Sequence, residues 1–121
     1  ESDIFRSISK VGAGFTDIHL EDFYKNLEKH KINHINARVD VIAENMDVWF
    51  EPTIVIEVIA SEITVSPSYS TAMNSIKEGY GLALRFPKFT GKIREDKAPE
   101  DATTVEEIIK MYKDQIRKFN Q

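Results

Sequence analysis

Between Val48 and Val65 the chain is dense in β-branched and aromatic residues. Val48-Trp49-Phe50-Glu51 is followed by a break at Pro52, then by Thr53-Ile54-Val55-Ile56-Glu57-Val58-Ile59 and Ile63-Thr64-Val65 before Ser66-Pro67. Such side chains lose rotamer freedom in a helix and pack well on a pleated surface, so the block predicts at least two strands. A second strand-forming stretch follows Gly79-Tyr80-Gly81: Leu82 to Phe86 and Phe89 to Arg94, interrupted at Pro87. Proline has no N–H to give to a ladder, so Pro87 implies a bend or an edge. Ile4 to Val11 reads as a further strand, closed by the turn residues Gly12-Ala13-Gly14.

Two segments carry helical period instead. Leu20, Phe23, Tyr24 and Leu27 fall at i, i+3, i+4 and i+7 and predict an amphipathic helix over Ile18 to Lys29, with Thr16 or Asp17 as its cap. Near the end, Thr104 and Glu107 form a capping box, and Val105, Ile108, Ile109, Tyr112, Ile116 and Phe119 make one apolar stripe. Residues 30 to 46 show neither period and read as loop or short helix. Ser68 to Glu78 is small and polar and reads as a connection.

At 121 residues and 41% hydrophobic, the chain closes one core rather than two. The expected architecture is mainly β with helices: a small antiparallel barrel, of which an OB-like barrel is a natural example, with one helix near the start and one at the C-terminus. Pattern alone leaves other α+β folds open. The absence of cysteine excludes disulfides, thiolate metal sites and cysteine nucleophiles. The start lacks a basic and then apolar leader, and Glu57 interrupts the most aliphatic stretch, so the expectation is a soluble cytoplasmic domain.

A net charge of −4 excludes a uniformly basic nucleic-acid coat, so contact with a polyanion must come from a local patch. Arg85 to Lys97 is such a patch, with five basic residues against two acidic ones, whereas Asp40 to Ser66 has six acidic residues and no lysine or arginine. This segregation predicts one face that attracts phosphates and another that repels them. On composition alone the plainer reading is that Phe86 and Phe89 are core residues and the charges solvate a strand. Trp49 and Phe50 likewise read as core packing rather than a stacking platform. His30 and His34 have the spacing of two helix-borne ligands but no third ligand beside them, so no metal site is assigned.

Order and spacing carry more information than composition. Arg85-Phe86-Pro87-Lys88-Phe89, then Arg94-Glu95-Asp96-Lys97, then Pro99-Glu100-Asp101-Ala102-Thr103-Thr104 resembles motif VI and the following helix start of ATP-dependent DNA ligases. Lys10 to Asp17, Val48 to Pro52 and Glu62 to Pro67 resemble, in the same order, the C-terminal OB-fold domain of archaeal-type members. The resemblance covers nearly the whole chain and is weakest over 30 to 46.

It implies that residues 1–121 form a single OB-fold domain lacking some N-terminal strand sequence, which predicts either an open edge at the first strand or a neighbouring chain filling it. It also implies a role in a nucleotidyltransferase reaction. A lysine in a Lys-x-Asp-Gly motif of a separate adenylation domain attacks ATP, with Mg2+, and AMP then passes to the 5′-phosphate of nicked double-stranded DNA. This chain has no Lys-x-Asp-Gly and is expected to be inactive alone.

By the same resemblance Arg85, Arg94, Asp96 and Lys97 serve the adenylation step, Arg85 and Lys97 meeting the nucleotide and Asp96 orienting Lys97 or a neighbour. Arg85, Phe86, Lys88 and Lys92 meet DNA, with Phe86 as an apolar wedge in the minor groove. Where the family often has arginine, this chain has Lys88, a point charge rather than a fork. The setting implied is replication, repair and recombination on the nucleoid. Alternatives from other classes are a stand-alone OB-type nucleic-acid-binding module and the OB domain of an RNA ligase or capping enzyme.

Overall fold

The computed structural model describes residues 4–42, 46 and 48–119. In chain order these form β1 (Phe5–Arg6), α1 (Asp17–Glu28), β2 (Lys31–Ile32), β3 (Val39–Asp40), β4 (Trp49–Phe50), β5 (Ile56–Ile59), β6 (Glu62–Ser66), β7 (Gly81–Arg85), β8 (Lys88–Ile93), a 3-10 turn over Pro99–Asp101 and α2 (Val105–Phe119). The strand-rich chain with one helix near the start and one at the C-terminal end is the expected arrangement. No helix among the described residues is long and apolar enough to cross a membrane.

The frame is one antiparallel ribbon. β5 pairs with β8 and β6 with β7; Ile59 faces Lys88, and three residues further along each strand Glu62 faces Arg85. The two ladders therefore share a register and are separated only at Ala60-Ser61 and Phe86-Pro87. Pro87 has no N–H to donate there, and Phe86 adopts φ +54°, a left-handed conformation that breaks the pleat. Ser61 bridges the gap by donating both its N–H (2.9 Å) and its Oγ–H (3.1 Å) to the Arg85 carbonyl. Further along, Val58 faces Phe89 but Ile56 faces Ile93, so Thr90, Gly91 and Lys92 bulge opposite Glu57 alone. Gly91 supplies the φ of +98° that this bulge needs.

Two apolar groups hold the ribbon. On one side Ile63, Ala72, Leu82 and Ile108 are buried, with Ile8, Leu84, Val105, Ile109 and Tyr112 packed around them. α2 is also tied to β6 by Gln115, whose Oε1 accepts from the Ile63 N–H and whose Nε2 donates to the Ile63 carbonyl, both at 2.9 Å. At its start the expected box is present: Thr104 Oγ1 accepts from the Glu107 N–H at 3.1 Å, and Glu107 Oε1 accepts from the Thr104 N–H at 2.8 Å. On the other side Phe89, fully buried, stacks on Phe15 (4.8 Å between centroids) and meets His19 and Phe23 edge-on.

Several sequence expectations are corrected. α1 does form, capped by Thr16, but Leu20 and Tyr24 are exposed, while His19, Phe23 and Leu27 share the half-buried face. The helix is rotated from its expected orientation because Phe89 offers it an aromatic seat. Within 30 to 46 lie β2 and β3, pairing with β4 and β1 respectively; two-residue strands leave no period to read. Residues 43–45, within the loop reading, and Asp47 lie outside the described residues. Trp49 and Phe50 are both half-buried.

The expected open edge at the first strand is occupied from within the chain. β3 pairs with β1 on one side, the Ser7 carbonyl accepts from the Thr71 N–H at 2.9 Å, and the Ile8 carbonyl accepts from the Leu84 N–H at 3.2 Å. The small, polar stretch after Pro67 supplies this wall: Ser70, Thr71 and Ala72 are all buried. Ser7 and Ser70 exchange hydrogen bonds, each backbone N–H donating to the other's Oγ at 2.9 Å, so their burial leaves no polar group unpaired.

Ala13 and Gly14 cross β8 closely. The Ala13 carbonyl accepts from the Phe89 N–H at 2.9 Å, and a Cβ on Gly14, at φ +94°, would lie 2.1 Å from the Phe89 carbonyl oxygen. Gly14→Ala is expected to destabilise the fold by about 2 kcal/mol or more, measured as a lowered denaturant midpoint; an unchanged midpoint would show that the crossing can relax.

Candidate nucleotide and nucleic-acid interface

The corner of the ribbon puts an aromatic ring outside. Phe86 is 71% exposed, whereas Phe89, three residues on, is 1% exposed. The two phenylalanines that composition treats alike are therefore separated by the break at Pro87: one turns out as the pleat fails, the other returns to the core. The Arg85 guanidinium lies 5.0 Å from the centre of the Phe86 ring, and its Nη1 donates to Glu62 Oε2 at 2.8 Å. Guanidinium and ring thus form one exposed unit.

From this corner β8 runs outward with Lys88, Thr90 and Lys92 exposed. Beyond it stands a second group. Arg94 donates from Nε and Nη2 to the two carboxylate oxygens of Asp96 at 2.9 and 2.7 Å, a two-pronged pair. Its backbone N–H donates to the Val55 carbonyl at 2.7 Å, fixing the start of the turn to the residue just before β5. Lys97 Nζ donates to the Asp101 carbonyl at 3.4 Å, so Asp96 is engaged with Arg94 and not with Lys97. Lys97 borders an open groove of about 780 Å³ together with Asp96, Glu100, Asp101 and Glu107. Arg38 reaches across to Glu100 at 3.0 Å and fastens the 3-10 turn to the β3 region.

The seven residues singled out in the sequence thus fall into two groups, separated by β8. Arg85, Phe86 and Lys88 sit at one end of that strand, Arg94, Asp96 and Lys97 at the other, with Lys92 between. Most of β8 lies between the two groups. The charge segregation seen along the sequence is also not kept in space. Antiparallel pairing lays the acidic β5–β6 arm against the basic β7–β8 arm, so Glu62 faces Arg85 and Glu57 faces the bulge, where Thr90 Oγ1 donates to Glu57 Oε1 at 2.9 Å. Glu62 and Ser61 were not identified from sequence, because the connection of 67–80 hides which acid falls opposite which base.

The electrostatics of the second group follow from that pairing. Hydrogen bonding to Arg94 comes first among the causes that hold the Asp96 carboxyl down at about 2, from an ordinary 3.8, with its own backbone N–H next. The same bond raises Arg94. A carboxyl depressed on folding stabilises fully above its unfolded value near 3.8 and loses that contribution as pH falls toward 2. The Asp96 side-chain carbon resonance is therefore expected to titrate near 2 in the folded protein; a midpoint near 3.8 would show that the pair does not persist in solution.

The family model for the ATP dependent DNA ligase C terminal region matches residues 1–97, ending at the last residue of the basic stretch. The chain is 51% identical over 114 residues to the DNA ligase of Pyrobaculum islandicum, covering 94% of this chain and 19% of that protein. To the DNA ligase of Cenarchaeum symbiosum it is 53% identical over 113 residues, covering 93% and 19%. With DNA ligase 2 of Thermofilum pendens the identity is 50% over 115 residues, covering 95% and 19%. The chain therefore spans about a fifth of the length of these curated relatives. A match through residue 97, joined to identity at half of the aligned positions, shows that this chain belongs to the family of ATP-dependent DNA ligase C-terminal regions.

Proposed function

We propose that this chain is a single OB-fold domain of an ATP-dependent DNA ligase that seals nicks in double-stranded DNA on the cytoplasmic nucleoid, in replication, repair and recombination. The observation that carries the reading is the Arg85-Phe86-Pro87 corner, where an exposed aromatic ring in a left-handed conformation stands beside a guanidinium. A bulky ring held outside the core in a left-handed backbone conformation motivates a functional reading of the position.

In the first step a lysine of the adenylation domain attacks the α-phosphate of ATP, forming a phosphorus–nitrogen bond as the bond to pyrophosphate breaks. Arg85 and Lys97 neutralise charge on the departing phosphates, and Arg94 is kept in place by Asp96; positioning and cations facing developing charge are what accelerate such transfers. Among the described residues no three His, Cys, Asp or Glu side chains are grouped to hold a metal ion. The full-length enzyme would use Mg2+ with ATP, and no step described here runs through it.

In the second phase the corner meets nicked duplex. Phe86 enters the minor groove as a wedge, while Arg85, Lys88 and Lys92 hold phosphates without reading sequence, as an enzyme for any nick requires. Arg85 serves in both phases.

In the full-length enzyme, Lys97→Ala is expected to slow lysyl-AMP formation by about 10- to 100-fold, and Phe86→Ala to weaken binding to nicked duplex while leaving adenylation nearly intact. Lys88→Ala is expected to reduce the salt dependence of duplex binding by about one phosphate contact. Single-turnover adenylation and fluorescence anisotropy over a salt series measure these. Unchanged adenylation in Lys97→Ala, or a Phe86→Ala variant impaired only in adenylation, would overturn the assignment. Salt-dependent binding with no adenylation of the complete enzyme would point to a stand-alone binding module.

A further inference from the structure

Arg85 serves both proposed phases, yet the side chain that holds it belongs to neither. We propose that Glu62 is the positioning residue for Arg85, turning one edge of the guanidinium toward an incoming phosphate. This deepens the reading of Arg85 as a phosphate ligand and rests on it.

Glu62 lies directly opposite Arg85 in the β6–β7 ladder, the last pair before the break. Its Oε2 takes a hydrogen bond from Nη1 at 2.8 Å, and the Phe86 ring lies 5.0 Å from the guanidinium carbon. The Arg85 backbone is held by the residue just before that strand, through the N–H and Oγ of Ser61. Carboxylate, ring and backbone anchor leave the guanidinium little freedom. Because Glu62 receives a bond from Nη1 alone, donors on the remaining edge of the rigid five-donor fork stay available for a phosphate.

The alternative is that Glu62 merely competes with phosphate. Side-chain exposures of 54% for Arg85 and 31% for Glu62 make this a partly solvated pair, which contributes little to stability by itself. Its effect falls instead on the ordering that binding requires. A flexible arginine loses rotamer freedom when it grips a ligand, and one already held loses less. The Glu62 charge also repels a phosphate arriving from its own side, which leaves the Phe86 side as the approach.

The test is a double-mutant cycle in the full-length enzyme, read by anisotropy on nicked duplex. Glu62→Ala is expected to weaken binding about three- to ten-fold, Glu62→Asp to restore most of it, and Glu62→Ala to add nothing on an Arg85→Ala background. Tighter binding by Glu62→Ala would establish competition and overturn the proposal. Equal losses in both backgrounds would assign Glu62 a purely structural role and overturn it too. Arg85→Ala binding as well as the unaltered enzyme would sink the reading of Arg85 itself, a failure distinguishable from that of Glu62. If Glu62→Ala does not fold, the isosteric Glu62→Gln carries the same comparison.

Discussion

A proline cannot donate to a ladder, and much of this molecule is arranged around that single missing hydrogen. Pro87 stops the pairing of two long arms, Ile56 to Ser66 and Gly81 to Ile93, without changing their register. Had the register shifted, the arms would have parted and each would have needed a new partner. Because it holds, the break is a local blister: Ser61 spans it with two bonds to one carbonyl, and the chain on either side returns to regular pairing. Phe86 is expelled at that point and Phe89 is drawn back in. One residue type therefore serves both as an exposed probe and as the hub of an aromatic cluster, three positions apart.

The same ribbon decides the charge distribution. Opposed arms of opposite sign neutralise part of the basic stretch, and its two arginines are each held by a carboxylate, Arg85 by Glu62 and Arg94 by Asp96. Lys88 and Lys92 are exposed between them. An acidic protein can in this way present a restricted cationic strip to a polyanion without a basic surface overall, so that attraction is local and geometry rather than net charge selects the ligand.

The elements legible in the sequence were those with length: the β-branched block, the strands flanking Pro87, and the last helix with its capping box. Short elements were not. β2 and β3 are two residues each, and nothing in Lys31-Ile32 or Val39-Asp40 announces a strand. The rotation of α1 was hidden because Leu20, Phe23, Tyr24 and Leu27 make an equally good stripe until Phe89 selects the face bearing His19, Phe23 and Leu27. Ser70 and Thr71 look like surface residues; Ser70 is buried through its exchange with Ser7 and its bond to the Asp40 carbonyl, and Thr71 through bonds to the backbones of Arg6, Ser7 and Leu82. The basic residues of the candidate site were readable from local order, whereas the acids that hold them were only partly so. Asp96 is near Arg94 in sequence, but Glu62 meets Arg85 only through a register that no local pattern encodes.

Gln115 offers the last lesson. Its amide gives and takes at Ile63 in the way a peptide unit of an adjacent strand would, and on the far side of the same rung Leu84 is satisfied by Ile8. A helix thereby finishes the margin of a sheet at that rung. Its backbone groups are already committed, so a stray strand from another molecule finds no purchase there. That rung resists accretion in a crowded cell through a side chain that reproduces backbone chemistry.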